Sequence, residues 1–474
     1  MEVWNGKRVL VLGAARQGIA LARWLTVHGA AITLSDTRPE VELTEARAAL
    51  RDLTIRWALG GHPLELLDGI DLVCLSGGVP ADIPIVQEAV RRGIPLSNDT
   101  QIFMERVPCP TVGITGSAGK TTTTALVGEM ATTAFHDGMA DAAASNPGAR
   151  RTAYIGGNLG DPLLNHLDGM RGGDLAILEI SSFQLEQMTI SPNIGAVLNI
   201  TPNHLDRHRS MEAYTAAKRR LLDFQGADDT AVLGRDDPGA WGLRTAVKGA
   251  LHTFGMGGFE GPGDGTYYDD GLLYLLDRGV DIPLLRREQV PLRGDHNVLN
   301  VLAAFAIGHA AGLPLDAMLE AAEGFRGVPH RLQFVRVLNG ARWYDDSIAT
   351  APERVAAAVR SFEEPLVLLL GGRDKDLPWE DLARLVCDRV DHVVLFGEAA
   401  AKIGKALQDA RPKAARQPES VETAVHLREA ISLAHRVAKQ GDVVLLSPGG
   451  TSFDEFKDFE DRGDRYRQWV QALS

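Results

Sequence analysis

The sequence predicts an α/β fold in three domains, each built on a mostly parallel sheet. Three observations lead there. Short apolar runs alternate with helical patterns, and those runs end repeatedly in glycine turns. The chain's 474 residues also exceed a single ordinary core, given a prior of roughly 150 residues per domain. Strands alternating with helices produce a parallel sheet whose carboxyl ends carry the ligand site.

In the first domain, 1–107, the run Arg8 to Leu12 meets the turn Gly13-Ala14-Ala15-Arg16-Gln17-Gly18 and then a helical pattern from Ile19 to His28. A second strand, Ala31 to Ser35, ends at Asp36, and a third, Leu72 to Ser76, ends in Gly77-Gly78. This is a Rossmann-like beginning. The chain restarts around Pro108 and Pro110, where Thr111 to Thr115 runs into Gly116-Ser117-Ala118-Gly119-Lys120-Thr121 and opens a central domain of phosphate-loop ATPase type, 108–327. Two apolar strands, Leu175 to Leu178 and Ala196 to Ile200, end there in polar residues. The stretch Phe135 to Thr152, rich in Ala, Gly, Asn and Pro, predicts a mobile surface loop at its middle. Gly324 to Pro329 suits a hinge. A second Rossmann-like domain, 328–474, follows, with strands Leu366 to Leu370, His392 to Phe396 and Val443 to Leu446, each meeting glycine soon after.

The formal charge of -13 comes without a basic stripe, which excludes the usual footprint of a nucleic-acid binder. Cys74, Cys109 and Cys387 show no metal-like spacing or pairing pattern and predict unlinked thiols in a reducing compartment. Met1 to Lys7 carries no basic-then-apolar signal, and no apolar run reaches the roughly 18 residues of a membrane span. A cytoplasmic location is expected.

The residues around Lys120 carry the strongest chemical signal. Between a strand and a helix, the amides of Gly116, Ser117, Ala118, Gly119, Lys120, Thr121 and Thr122 can cradle phosphates, with Lys120 reaching the β and γ groups and the Thr121 hydroxyl holding Mg²⁺. The strict pattern wants glycine where Ile114 stands, so an ordinary glycine turn is the competing reading. Gly13, Ala15 and Gly18, with Asp36 at the distance of a ribose-binding acid, fit a dinucleotide turn with alanine in the second position. Alone they fit an oxidoreductase or a plain tight turn equally well. Two nucleotide-type sites in one chain suggest that one holds an energy source and the other a nucleotide-bearing substrate. Glu179 and His204 end apolar strands and make reasonable ligands for a divalent cation, against the plainer reading of hydrogen-bonded loop residues. Lys218, on a probable helix, reads by itself as a solvated lysine.

Together these segments resemble the Mur ligases of peptidoglycan precursor synthesis along essentially the whole chain. The likeness adds Gly156-Gly157-Asn158, Glu179 to Glu186, Asn203 to His208, Gly294 to Asn300, Pro329-His330-Arg331, Asp345-Asp346-Ser347 and Ser447 to Gly463. It implies an ATP-dependent, amide-forming enzyme that activates UDP-N-acetylmuramoyl-L-alanine as an acyl phosphate and joins it to D-glutamate, with two Mg²⁺ ions, as a cytoplasmic monomer. By that resemblance Arg16, Gln17, Asp36, Thr37 and Arg38 hold the uridine diphosphate, with Ser76 and Gly78 nearby and Asn158 on the muramoyl part. Asn297 and Asn300 meet adenine, while Arg331 and Asp346 clasp ATP. Thr121 and Glu179 serve the ATP-side metal; His204 and a carbamylated Lys218 serve the second. Lys120, Glu179, His204 and Lys218 form the catalytic set. Thr350, Lys375, Ser452 and Phe459 match positions that bind the amino acid. Ile348 stands where many relatives carry a lysine near that amino acid, which leaves L-glutamate or another acceptor as an alternative. Ala118 replaces a frequent asparagine, with little consequence where backbone groups do the cradling. A nucleotide-dependent oxidoreductase is the reading from a different class.

Overall fold

The computed structural model describes residues 4–136, 151–158, 160–203, 205–258, 263–374, 377–411 and 416–474. His204, Lys375 and the middle of the expected 135–152 loop lie outside them. The α/β class holds, with three sheets.

The first sheet joins β1 (Arg8–Leu12), β2 (Ala31–Asp36), β3 (Arg56–Leu59), β4 (Leu72–Leu75) and β5 (Leu96–Ser97) in the order β3-β2-β1-β4-β5, all parallel. The order reverses at β1, and that reversal opens a crevice beyond the strands' carboxyl ends. The second sheet has nine strands: β6 (Thr111–Thr115), β7 (Ala153–Gly157), β8 (Leu175–Glu179), β9 (Ile194–Val197), β10 (Thr230–Gly234), β11 (Ala250–Met256), β12 (Asp264–Asp269), β13 (Leu272–Asp277) and β14 (Val280–Arg286). Its order is β14-β13-β12-β11-β10-β9-β6-β8-β7. Strand β6, which feeds the phosphate turn, lies inside it, flanked by β8 and β9. All five β6 residues are buried, as a parallel strand covered on both faces requires. Helices Lys120–His136 and Asp295–Ala310 pack against one another, and the second is apolar nearly all round, as a helix enclosed by its neighbours should be.

Strand β9 runs Ile194–Val197, not Ala196 to Ile200, because the chain beyond Val197 bonds sideways: the Ile200 N–H donates to Asp237 Oδ1 at 2.8 Å. The antiparallel extension β12-β13-β14, with a bulge between Leu272 and Tyr274, went unread behind the glycine-rich stretch that precedes it.

The third sheet, β15 (Gln333–Leu338), β16 (Ala341–Asp345), β17 (Leu366–Gly371), β18 (His392–Phe396), β19 (Ser420–Thr423) and β20 (Val443–Gly449), has the order β15-β16-β20-β17-β18-β19. Among the described residues, only the β15–β16 pair of these strands is antiparallel. Apolar cores lie on both of its faces.

By compactness the chain forms two units, one of Met1–Pro291 with Asp295–Phe325 and one of Leu292–Gly294 with Arg326–Ser474. The short piece belongs to the second unit through Arg293, which pairs with Glu364 at 2.6 Å and lies over the rings of Tyr344 and Phe362. No described helix is long and apolar enough to cross a membrane.

One buried acid gives the first unit a pH dependence. Asp99 is 4 % exposed, and one of its carboxyl oxygens has no hydrogen-bond partner among the described residues. Burial outweighs the bonds it does accept and pushes its pKa up to about 6. Because the unfolded acid ionises near its ordinary value of 3.8, the penalty is absent below that pH, grows as pH rises to about 6, and is fully present above. We expect the thermal midpoint to fall across that interval and Asp99→Asn to flatten the fall. An unchanged slope in the variant would refute the assignment.

Candidate active site

At the end of β1 the chain turns through Gly13 at φ 90°. Gly18 packs so tightly under the turn that a Cβ there would overlap the Gly13 carbonyl oxygen. Asp36, buried at the end of β2, accepts the Ala14 N–H at 2.7 Å and a fork from Arg38 Nε and Nη2 at 3.0 and 2.9 Å. Burial pushes its pKa upward, but the bonds from Arg38 and Ala14 outweigh that and hold the carboxyl well below the usual range. Thr37 and Arg38 are exposed beside it. Gln17 Oε1 accepts the Gly77 N–H at 2.9 Å, next to buried Ser76 and exposed Gly78, and Arg16 donates to the Gly160 carbonyl at 3.1 Å. The expected uridine diphosphate residues thus gather at the carboxyl ends of β1, β2 and β4. Asn158 donates from its side chain to Glu179 Oε1 at 3.2 Å.

The phosphate turn follows β6 directly. Gly119 takes φ 83°, and a Cβ there would strike Asn300 Oδ1. Ser117 and Ala118 do not offer free amides, since their N–H groups donate to the carbonyl and the side-chain oxygen of Asn199 at 3.0 and 2.8 Å. Beyond them, the amides of Thr121 and Thr122 stand in the first turn of the helix Lys120–His136, where a helix has no carbonyl one turn earlier to bond. Lys120 Nζ donates to the Gly116 carbonyl at 2.9 Å, and the Thr121 hydroxyl donates to Glu179 Oε2 at 2.8 Å.

Lys218 is no solvated lysine. It is 1 % exposed, and its Nζ donates to the same Gly116 carbonyl at 2.9 Å and to Thr115 Oγ1 at 3.3 Å. Desolvation, then the neighbouring Lys120 charge, pull its pKa down to about 6 against the opposing pull of Glu179. That shift favours the neutral, nucleophilic form of the amine.

Asn300 is buried and supports the loop from beneath. Its Oδ1 accepts from Thr123 Oγ1 at 3.5 Å, and its Nδ2 donates to Asn297 Oδ1 at 3.0 Å. In the second unit Asp346 is buried at the end of β16 and accepts from Ser447 Oγ at 2.7 Å and the Leu332 N–H at 3.2 Å. Burial pushes its pKa up to about 7. Arg331 is exposed nearby in sequence, between His330 and Leu332, both at positive φ. Thr350 is partly buried, Ser452 is 2 % exposed, and the Phe459 carbonyl accepts from Ser347 Oγ at 2.8 Å.

Three residues escaped the sequence reading. Asn199 could have been found as the polar end of an apolar strand. Tyr214, whose hydroxyl lies 3.0 Å from Ser117 Oγ and whose ring lies 4.7 Å from Lys218 Nζ, stands four residues before that lysine on one helix face. Arg462, fully buried, had no signal in its charged surroundings.

Three family models match in order: a Mur ligase MurD-like N-terminal domain over residues 7–98, a Mur ligase middle domain over 114–308, and a Mur ligase glutamate ligase domain over 330–450. The UDP-N-acetylmuramoylalanine–D-glutamate ligase of Symbiobacterium thermophilum is 36% identical over 99% of this chain and 98% of its own length. Its counterpart in Pelotomaculum thermopropionicum is 37% identical over 100% and 99%. Among solved structures, the UDP-N-acetylmuramate-alanine ligase of Thermotoga maritima aligns with a TM-score of 0.55 at 21% identity over 98% of this chain and 99% of that one. The MurF ligase of the same organism, in complex with ADP, aligns at 0.52 and 16% identity over the full length of both. Relatedness that runs from one end to the other admits one assignment: the chain belongs to the Mur ligase family, enzymes that form an amide bond in an ATP-dependent step.

Proposed function

We propose that the chain joins D-glutamate to UDP-N-acetylmuramoyl-L-alanine through an acyl phosphate, releasing ADP and phosphate. The observation that carries this is the group at the end of β6 and β8, where Lys120, Thr121, Glu179 and Lys218 meet around the Gly116 carbonyl and the Glu179 carboxylate. The names of the full-length relatives supply the substrates.

The alanyl carboxylate attacks the γ-phosphorus of ATP and ADP leaves. The glutamate amine then adds to the acyl carbon, and the tetrahedral intermediate expels phosphate. Phosphoryl transfer depends mainly on positioning and charge. Lys120 and the amides of Thr121 and Thr122 face the charge that develops on the transferring group, and the Asn199 bonds fix the turn that presents them. Asp36 locks Ala14 and Arg38 in the first crevice, where Arg16, Gln17, Thr37, Ser76 and Gly78 receive the uridine diphosphate and Asn158 the muramoyl part. Asn297 and Asn300, Arg331 and Asp346 serve ATP; Thr350, Lys375, Ser452 and Phe459 serve glutamate.

Neighbouring hydroxyl and carboxylate oxygens suit a hard divalent cation. The 2.8 Å pair of Thr121 and Glu179 is such a donor set for one Mg²⁺. A second would take His204 and carbamylated Lys218. Mg²⁺ held by these residues would neutralise phosphate charge and raise the leaving ability of ADP. Carbamylation fits the buried amine: CO₂ adds at the neutral Nζ, a proton is released, and the resulting anion is attracted by the Lys120 charge that disfavours the ammonium. Buried, unlinked cysteines and acidic composition support a cytoplasmic setting.

Phosphate release tests the assignment when ATP, UDP-N-acetylmuramoyl-L-alanine and each of a panel of D- and L-amino acids are omitted in turn. Release is expected only with all three, and most with D-glutamate; release without the nucleotide sugar, or none at all, rejects it. Lys218→Ala should lose turnover and regain about tenfold with added formate or acetate, a gain near 1.4 kcal/mol in the barrier. A variant fully active without additive removes the carbamate.

A further inference from the structure

We propose that Arg354 is the specificity-determining cation of the acceptor site and receives the side-chain carboxylate of the incoming amino acid; this rests on the proposed ligation of a dicarboxylic acceptor. Thr350, Ser452 and Phe459 follow the carboxyl ends of β16 and β20, the place where an open parallel sheet holds its ligand. The segment Ser347 to Ala351 that borders this place contains no charged side chain, and Ile348 contributes only an aliphatic one. With the one cation already assigned to this site, Lys375, serving one carboxylate of the amino acid, the second needs a further cation from an adjoining element.

Arg354 is that cation by position and by its spare bonding capacity. It sits in the first turn of the helix Pro352–Arg360, which begins two residues after Thr350. Its Nη1 donates to the Ile348 carbonyl at 3.2 Å, which lays the guanidinium against the Ser347–Ala351 segment. That is the side chain's one hydrogen bond or ion pair among the described residues; the adjoining Glu353 does not pair with it. Two other exposed arginines of the same unit are committed to acids, Arg342 to Glu364 and Arg373 to Glu398. A guanidinium carries five N–H donors, so four remain, enough for a two-point grip on a carboxylate. The amino-terminal end of the helix adds favourable potential for an anion there.

The test is steady-state kinetics of the full chain with Arg354→Ala and Arg354→Lys, using D-glutamate and its side-chain amide D-glutamine as acceptors. Arg354 is exposed, and an unchanged thermal midpoint confirms that each variant is folded. The alanine variant should raise KM for D-glutamate at least about tenfold and lose at least about tenfold of the preference for D-glutamate over D-glutamine, the scale of one charge-assisted contact. KM for ATP and for the nucleotide sugar should stay unchanged, and lysine should restore part of the preference. An alanine variant that keeps both the KM and the preference overturns the role of Arg354. If wild type turns over L-glutamate rather than D-glutamate, the D-glutamate assignment fails by itself, and the same comparison of L-glutamate with L-glutamine decides Arg354. A wild-type enzyme that prefers the amide in either series overturns both.

Discussion

Replacing Lys120 with alanine lowers turnover at least about a hundredfold. Loss of one preorganised donor to developing charge costs about 3 kcal/mol of transition-state stabilisation, and each 1.36 kcal/mol is roughly tenfold in rate. The fold should survive, because the Nζ bonds a turn carbonyl that Lys218 also holds. The effect should fall on kcat in phosphate release, with the nucleotide sugar binding as before in the separate crevice beyond β1. Near-normal kcat contradicts the role given to Lys120. The same substitution removes the second cause of the low Lys218 pKa, so that amine should titrate nearer its ordinary range in the variant.

Arg462→Leu should destabilise the second unit by roughly 3 kcal/mol or more. The guanidinium is fully buried and donates to Ser347 Oγ at 2.9 Å, the Ser347 carbonyl at 2.8 Å and the Gly450 carbonyl at 3.2 and 3.3 Å. Leucine fills space but leaves two buried carbonyls without donors, at about 1–3 kcal/mol each. Those carbonyls belong to the two loops that present Thr350 and Ser452, so binding of the amino acid should weaken along with the fold. Urea unfolding of the full chain, followed by a probe in the second unit, reads the change. A midpoint equal to wild type would show that Arg462 holds nothing that matters.

Much of this was legible in the sequence where local rules act. Thr111 to Thr115 and the turn after it follow from an apolar run meeting glycine before a helical pattern, and the strand falls where it was read. Asp36 was legible from its spacing to the first glycine turn. What no local pattern encodes is which groups compete for the same atoms. The Ser117 and Ala118 amides look available until the chain some 80 residues later brings Asn199 to them. Lys218 reads as surface because the helix Met211–Asp223 carries other charges, whereas its own face packs inward with Tyr214 and Leu221. Arg462 is hidden for the same reason, amid acids and arginines that do reach solvent. The outer antiparallel strands are set by cross-strand pairing, which a glycine-rich approach does not announce.

The tripeptide Leu292–Gly294 has a practical meaning for anyone dissecting the chain. A recombinant fragment begun at Arg326 would discard Arg293, leave Glu364 to Arg342 alone, and uncover one side of the Tyr344 and Phe362 rings. Autonomous expression of the second unit therefore calls for a grafted segment of residues 292–294, not merely a well-chosen start codon.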